Sequence, residues 1–205
     1  MNAQHEKKES AASSPIVIVF FIVGLAVSLF VGWSIFPKLL YSQKKQPIDF
    51  SHSIHLDATG DCESCHYFRE DGSFSGIPEL SNCVECHEEA QGEDPEEIKL
   101  IENYVEPNKE IPWLVYSRQP DCVFFSHAAH VKMGELECKT CHGMIGESDH
   151  SEIYEENRIT GYSRNIWGKS IGGFKTNTWD RMKMDDCAEC HDEHGTRQAC
   201  FVCHK

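Results

Sequence analysis

Five copies of Cys-x-x-Cys-His constrain this chain more than any other feature: Cys62-Cys65-His66, Cys83-Cys86-His87, Cys138-Cys141-His142, Cys187-Cys190-His191 and Cys200-Cys203-His204. Ten of the eleven cysteines fall in these pairs, and only Cys122 stands alone. Two cysteines three positions apart can form thioethers to both vinyl groups of one porphyrin, and the next residue then aims its imidazole at the iron. Each motif therefore reads as one haem c attachment. A single C-x-x-C could be a redox dithiol or half of a zinc site, and many cysteines in a short chain could be a disulfide scaffold. Five copies with histidine at the same offset reject all three.

An iron suited to electron transfer needs a second axial ligand. Six histidines lie beyond the apolar N-terminal segment and outside the motifs: His52, His55, His127, His130, His150 and His194. Five irons need five, so supply matches demand, and all six are distal-ligand candidates. His66, His87, His142, His191 and His204 are the proximal candidates. Two readings stand for Cys122: a buried small residue, or the single-thioether anchor of a sixth haem. Six irons need twelve axial ligands, and only eleven histidines follow the apolar segment. One iron would then be five-coordinate or take another ligand, with Met133, Met144, Met182 and Met184 as candidates.

Residues from Pro15 to Phe36 carry no charge, and as a helix at about 1.5 Å per residue they span roughly the 30 Å of a bilayer core. A cleavable signal peptide has a shorter apolar region and ends in small residues, whereas this segment continues into PKLLYS. A retained single-pass anchor is expected, in preference to a buried core helix. The basic flanks do not orient it, since Lys7 and Lys8 compete with Lys38, Lys44 and Lys45. Haem attachment does: haem c is assembled outside the bacterial cytoplasmic membrane, so the C-terminal portion is expected in the periplasm.

Beyond the anchor the chain is punctuated by cysteine, glycine and proline, with few ordinary core-building stretches. The expected fold is a mostly irregular, partly α-helical multihaem cytochrome c with a haem-filled core plus one N-terminal transmembrane helix. FSHSIH (Phe50 to His55) before CESCH and FSHAAH (Phe125 to His130) before CKTCH form an internal repeat. The expected organisation is a cytoplasmic tail (1–14), the anchor (15–37), a first module with two haems (38–94), a linker (95–121) and a second module with three haems (122–205). Residues 38–47 read as a short polar tether, and a helical stretch is expected around Ile98 to Val105. The second module holds an insertion, 143–186, with Trp167, Phe174 and Trp179. It reads either as a solvated loop or as an arm packed on a neighbouring subunit, and Thr178 is a candidate cap for a helix running into CAECH.

A formal charge of −14 argues against nucleic acid as a partner and favours electrostatic capture of a basic one. A multihaem enzyme of the nitrite reductase kind commonly carries a C-x-x-C-K motif, and this chain has none. Membrane-tethered quinol dehydrogenase cytochromes place their first haem motif close to the membrane helix, whereas Cys62 lies well beyond Phe36.

The pattern F-x-H-x-x-H followed by C-x-x-C-H resembles the class III, or cytochrome c3-like, family. The resemblance implies that His52 serves the haem at His66 and His127 the haem at His142, while His55 and His130 reach across to neighbouring haems. More broadly, the order anchor, DFSHSIH, CESCH, GIPELSNCVECH, IPWLVYSRQPDCVFFSHAAH, CKTCHG and two late motifs is similar to the multihaem subunits of two related quinone-linked assemblies. These are the menaquinone reductase complex of sulfate-reducing bacteria and the alternative complex III. The first resemblance implies iron-sulfur, molybdopterin-family and integral membrane partner subunits. It also implies a soluble basic multihaem cytochrome c as electron donor and menaquinone as acceptor. It is favoured by the acidic charge, the aromatic insertion and the ending MDDCAECHDEHG with ACFVCHK, and its multihaem subunit is associated with six haems. The alternative implies electrons passing from quinol to a periplasmic carrier. In either case the chain is expected to be an electron-transfer subunit and not an enzyme by itself.

Overall fold

The computed structural model describes residues 13–115, 117–196 and 203–204. The chain divides into two compact units, residues 1–42 and 43–205. Residues 1–12 of the expected 1–14 tail, and Cys200, lie outside the described residues.

In the first unit, helix α1 (Ser13–Phe30) runs into a wide turn at Val31–Ile35 and then α2 (Phe36–Leu40). Pro37 supplies the reason for the wide turn. It has no N–H to donate, and its ring would collide with the carbonyl one turn back, so the ladder loosens ahead of it. The apolar helical run, Pro15–Leu40, has 26 residues, three beyond the expected end at 37, and is long and apolar enough to cross a membrane. Its side chains from Pro15 to Trp33 are exposed. The Ser28 hydroxyl donates to the Gly24 carbonyl at 2.8 Å, which satisfies it within the helix.

The second unit begins partway along the extended segment β1 (Tyr41–Lys44), whose Lys44 pairs with Glu156 at 2.6 Å, so the expected tether is partly structured. Short elements follow: α3 (His52–Thr59), α4 (Leu80–Val84), α5 (Pro95–Leu100) with a wide turn Ile101–Val105, and a second wide turn Ala128–Met133. Next come α6 (Cys138–His142), β2 (Tyr154–Asn157), α7 (Lys169–Gly172) and α8 (Met184–Glu193). Asp94 starts α5 by accepting from the N–H groups of Glu96 and Glu97, with Pro95 in the first turn.

The apolar core of this unit is small. Ile48, Leu80, Leu100 and Ile111 form one buried cluster, flanked by Cys83, Val84, Tyr104, Val105 and Trp113. Tyr154 and Ile166 are the other buried hydrophobics among the described residues. A domain of this length ordinarily buries far more apolar side chain to offset the entropy of ordering its backbone. The mostly irregular and helical fold therefore needs large apolar faces that the side chains alone do not provide.

The insertion is not a solvated loop. Ser148 and Ser163 are each 2 % exposed, Ile166 is 5 % exposed, and the segment is tied together by Lys183 Nζ to Asn165 Oδ1 (3.0 Å) and Asn165 Nδ2 to Glu152 Oε2 (3.1 Å). It also closes back on the third motif, through Met144 N to Thr178 O at 2.9 Å and Met182 N to Cys141 O at 2.7 Å. Thr178 does not cap the helix into CAECH. It lies in a turn whose N–H groups at Thr176 and Asn177 donate to Asp180, and α8 begins only at Met184. Asp186 starts that helix by reaching back to the N–H of Lys183 at 2.8 Å.

Candidate functional site

Each described Cys-x-x-Cys-His forms a single helical turn. His66 N donates to Cys62 O and His87 N to Cys83 O, both at 2.8 Å, while the third and fourth motifs lie in α6 and α8. Positions i, i+3 and i+4 of a turn share a face, so two thiols and an imidazole can meet one flat ring. Of the fifth motif, Cys203 and His204 are described: Phe124 N donates to Cys203 O at 2.8 Å, and Val123 pairs with His204 as antiparallel backbone.

The two FxHxxH segments fold alike. Phe50 stacks on His55 with centroids 4.1 Å apart, and Phe125 stacks on His130 at 4.7 Å. Each phenyl also meets the first histidine edge-on, Phe50 with His52 at 4.9 Å and Phe125 with His127 at 4.8 Å. The serine between them caps the turn through its hydroxyl, Ser51 accepting from Ile54 N and Ser126 from Ala129 N. Its carbonyl takes the Nδ1 proton of the second histidine, at 2.7 Å for His55 and 2.8 Å for His130. A carbonyl only accepts, so Nδ1 must carry the proton, and in the neutral ring Nε2 is then the nitrogen with the lone pair. His66 is held the same way by Gly76 O at 2.6 Å.

Three histidine pairs face one another. His127 and His142 have centroids 6.4 Å apart with planes 3° from parallel; His130 and His191 are 5.9 Å apart, and His55 and His87 are 6.1 Å apart. Metal–imidazole bonds of about 2.0–2.1 Å on both sides of an iron, plus about 1.1 Å from each nitrogen to its ring centre, require roughly 6.3 Å. The donor set fits haem iron with two axial histidines. Burial, then the neighbouring imidazoles of His66 and His55, lowers the pKa of His52 to about 4. Burial, then His127, Arg181 and His66, lowers His142 to about 4 as well. Both stay neutral near pH 7, the form that can donate a lone pair.

His150 and His194 are placed differently. His150 is 80 % exposed and sits 3.1 Å from Asp49, and His194 closes the end of α8 with Nδ1 2.8 Å from Cys190 O. Cys122 is exposed, which overturns its reading as a buried small residue. It flanks the backbone pair that joins Val123 to His204.

Thiols of different motifs lie close together. Burial raises the pKa of Cys62, with Cys138 beside it; burial raises Cys83, with Cys65 beside it. Burial, then the Cys190 thiol, raises Cys141, and burial, then the Cys141 thiol, raises Cys187, with Cys203 the weakest contributor. The hairpin after the first motif brings Phe74 onto His127, stacked at 4.1 Å. Phe74, Gly76, Ser148 and Glu97 are site residues that sequence reasoning missed. Ser148 Oγ lies 3.2 Å from His52 Nδ1, and Glu97 Oε1 lies 2.7 Å from His87 Nδ1. Hydrogen bonds from Gln91 N, His87 and Gly92 N hold the Glu97 carboxyl below the usual carboxylate range. The shared serine of the two repeats was a visible signal for the carbonyl partners; no local signal marked the others.

Residues 36–112 match the class III cytochrome c family, and residues 123–205 match the family of cytochrome c7 and related cytochromes c. Fold and motifs thus define a multihaem cytochrome of the class III type whose cofactor is haem c. The sequence is 45% identical over 201 residues to the menaquinone reductase multihaem cytochrome c subunit of Nitratidesulfovibrio vulgaris, covering 90% of this chain and 89% of that protein. The chain belongs to the family of menaquinone reductase multihaem cytochrome c subunits.

Proposed function

We propose that this chain is the periplasmic electron wire of a menaquinone-linked respiratory complex, anchored in the cell inner membrane by Pro15–Leu40 with its C-terminal unit outside. It accepts electrons from a soluble basic multihaem cytochrome c and passes them through iron-sulfur, molybdopterin-family and integral membrane subunits to menaquinone. The observation that carries this reading is the set of three facing histidine pairs, with centroid separations of 6.4, 5.9 and 6.1 Å, each including the histidine of a different Cys-x-x-Cys-His.

Haem c, when bound, supplies the one-electron iron couple; the protein sets its ligation, spacing and surroundings. His55 with His87, His127 with His142 and His130 with His191 hold three irons. His52, buried near His66, is proposed for the iron at His66, and His150 and His194 are the remaining candidates for the iron at His204. The thioether positions are Cys62, Cys65, Cys83, Cys86, Cys138, Cys141, Cys187, Cys190, Cys200 and Cys203, with Cys122 proposed for a sixth haem.

An order of attachment sites follows from this reading. His52 and His55 lie three positions apart on α3, about 4.5 Å along a helix, so the first and second motifs are neighbours. The contact of Cys62 with Cys138 and of Phe74 with His127 supports the first beside the third. His127 and His130, again three apart, link the third to the fourth, and the electrostatic reach of Cys203 to Cys187 supports the fourth beside the fifth. The wire then runs second, first, third, fourth, fifth.

The test uses the purified complex. Reduced basic multihaem cytochrome c should reduce a soluble menaquinone analogue, with every haem of this subunit passing through the reduced state. Turnover only in the opposite sense, from menaquinol to a periplasmic carrier, would replace this reading with the alternative complex III.

A further inference from the structure

The histidines of the facing pairs do not share one kind of partner. His55 and His130 donate from Nδ1 to backbone carbonyls, those of Ser51 and Ser126. His87 instead meets a carboxylate, Glu97 Oε1, at 2.7 Å. The side chains are 22 % and 13 % exposed, so the contact is partly shielded from solvent. By contrast, His150, the other described histidine beside a carboxylate, Asp49, is 80 % exposed and takes part in none of the facing pairs. Glu97 is also held in place: its Oε1 accepts from Gln91 N at 2.9 Å and its Oε2 from Gly92 N at 3.0 Å. It stands in the first turn of α5, where the helix N-terminus favours negative charge.

A carboxylate on the outer nitrogen of a metal-binding imidazole draws the proton toward itself and makes the inner nitrogen a stronger donor. A stronger, more negative ligand stabilises ferric over ferrous iron. We propose that Glu97 is a positioning and tuning residue for the site at Cys83, Cys86 and His87. It fixes the tautomer of His87 and lowers the reduction potential of the iron held there relative to the same site with a neutral partner. This rests on the reading of His87 as an axial ligand. It also places the lowered potential at one end of the proposed wire.

The experiment is a spectroscopic redox titration of the intact complex carrying Glu97→Gln, which keeps one acceptor oxygen for His87 and Gln91 N, loses the acceptor for Gly92 N and removes the charge. One haem is expected to titrate at a more positive potential, the others staying where they were and the spin state of every haem unchanged from the wild type. Glu96→Gln removes the same charge one residue away and should leave that haem in place. An unchanged titration, or an equal shift in both variants, would overturn the proposal. His87→Met separates this outcome from failure of the underlying reading: if His87 is a ligand, one haem changes its ligand-field spectrum. Should Glu97→Gln not assemble, near-infrared magnetic circular dichroism of the wild type decides. One haem with histidine–histidinate character supports the proposal, and neutral bis-histidine throughout refutes it.

Discussion

The imidazoles of His127 and His142 lie 6.4 Å apart, centre to centre, with their planes 3° from parallel. They come from different elements, His127 from the start of the wide turn Ala128–Met133 and His142 from the end of α6. On the proposed ligation, His127→Met leaves both thioethers at Cys138 and Cys141 intact and removes one imidazole. The haem count by pyridine haemochrome should be unchanged, while the oxidised EPR spectrum loses one bis-histidine signal. An unaltered spectrum would place the second ligand of that iron elsewhere.

Cys122 is exposed and next to the backbone pair that holds His204. Cys122→Ser should lower the count from six haems per chain to five and remove any high-spin component. Five haems in both proteins would leave this thiol without a haem role.

The stacked phenyl rings orient the second histidine of each repeat. Phe125→Leu keeps apolar volume but removes the face contact with His130, worth about 0.5–1.5 kcal/mol. For a chain of this size that corresponds to a melting shift of roughly 2–4 °C per kcal/mol, read by the loss of haem-region dichroism on heating.

Gly143, directly after the third motif, has φ +62°, and a Cβ there would stand 2.6 Å from Thr178 O and 2.9 Å from Asp180 O. Backbone atoms cannot yield as a side-chain tip can. Gly143→Ala should cost on the order of 1–3 kcal/mol and loosen the closure of the insertion on Cys141. Gly161→Ala, where φ is +72° but nothing lies within 4 Å, should cost less. Chemical denaturation of the haem-loaded protein compares the two.

The chain carries a net charge of −14. With a basic cytochrome as donor, the second-order rate of electron entry should fall steeply as ionic strength rises, because screening shortens the reach of the attraction to about 8 Å at 0.15 M salt. A rate indifferent to salt in stopped-flow mixing would argue for an uncharged docking surface.

Several features were legible before any folding. The helical stretch near Ile98 to Val105 follows from the Asp94–Pro95 start, and the apolar run from Pro15 reads directly as a long helix. The solvated-loop reading of the insertion failed because its burial is polar. Ser148, Asn157, Ser163 and Lys183 are buried through hydrogen bonds, which leave no hydrophobic period in the sequence. Thr178 looked like a cap because capping residues are common; the start of α8 was decided instead by Asp186 reaching back to Lys183, with Thr178 diverted into the turn around Asp180.

The amino-acid sequence by itself determined the haem-attachment chemistry and an N-terminal helix long and apolar enough to cross a membrane. Thioether attachment depends on residues three and four positions apart, and membrane crossing depends on an unbroken apolar run, both of which are local. Only the tertiary structure decided which imidazoles face one another, which motifs are neighbours and that Glu97 meets His87. Those relationships join segments separated along the chain, and they are set by how short helices, a polar insertion and two aromatic repeats pack around flat cofactors, for which no local pattern codes.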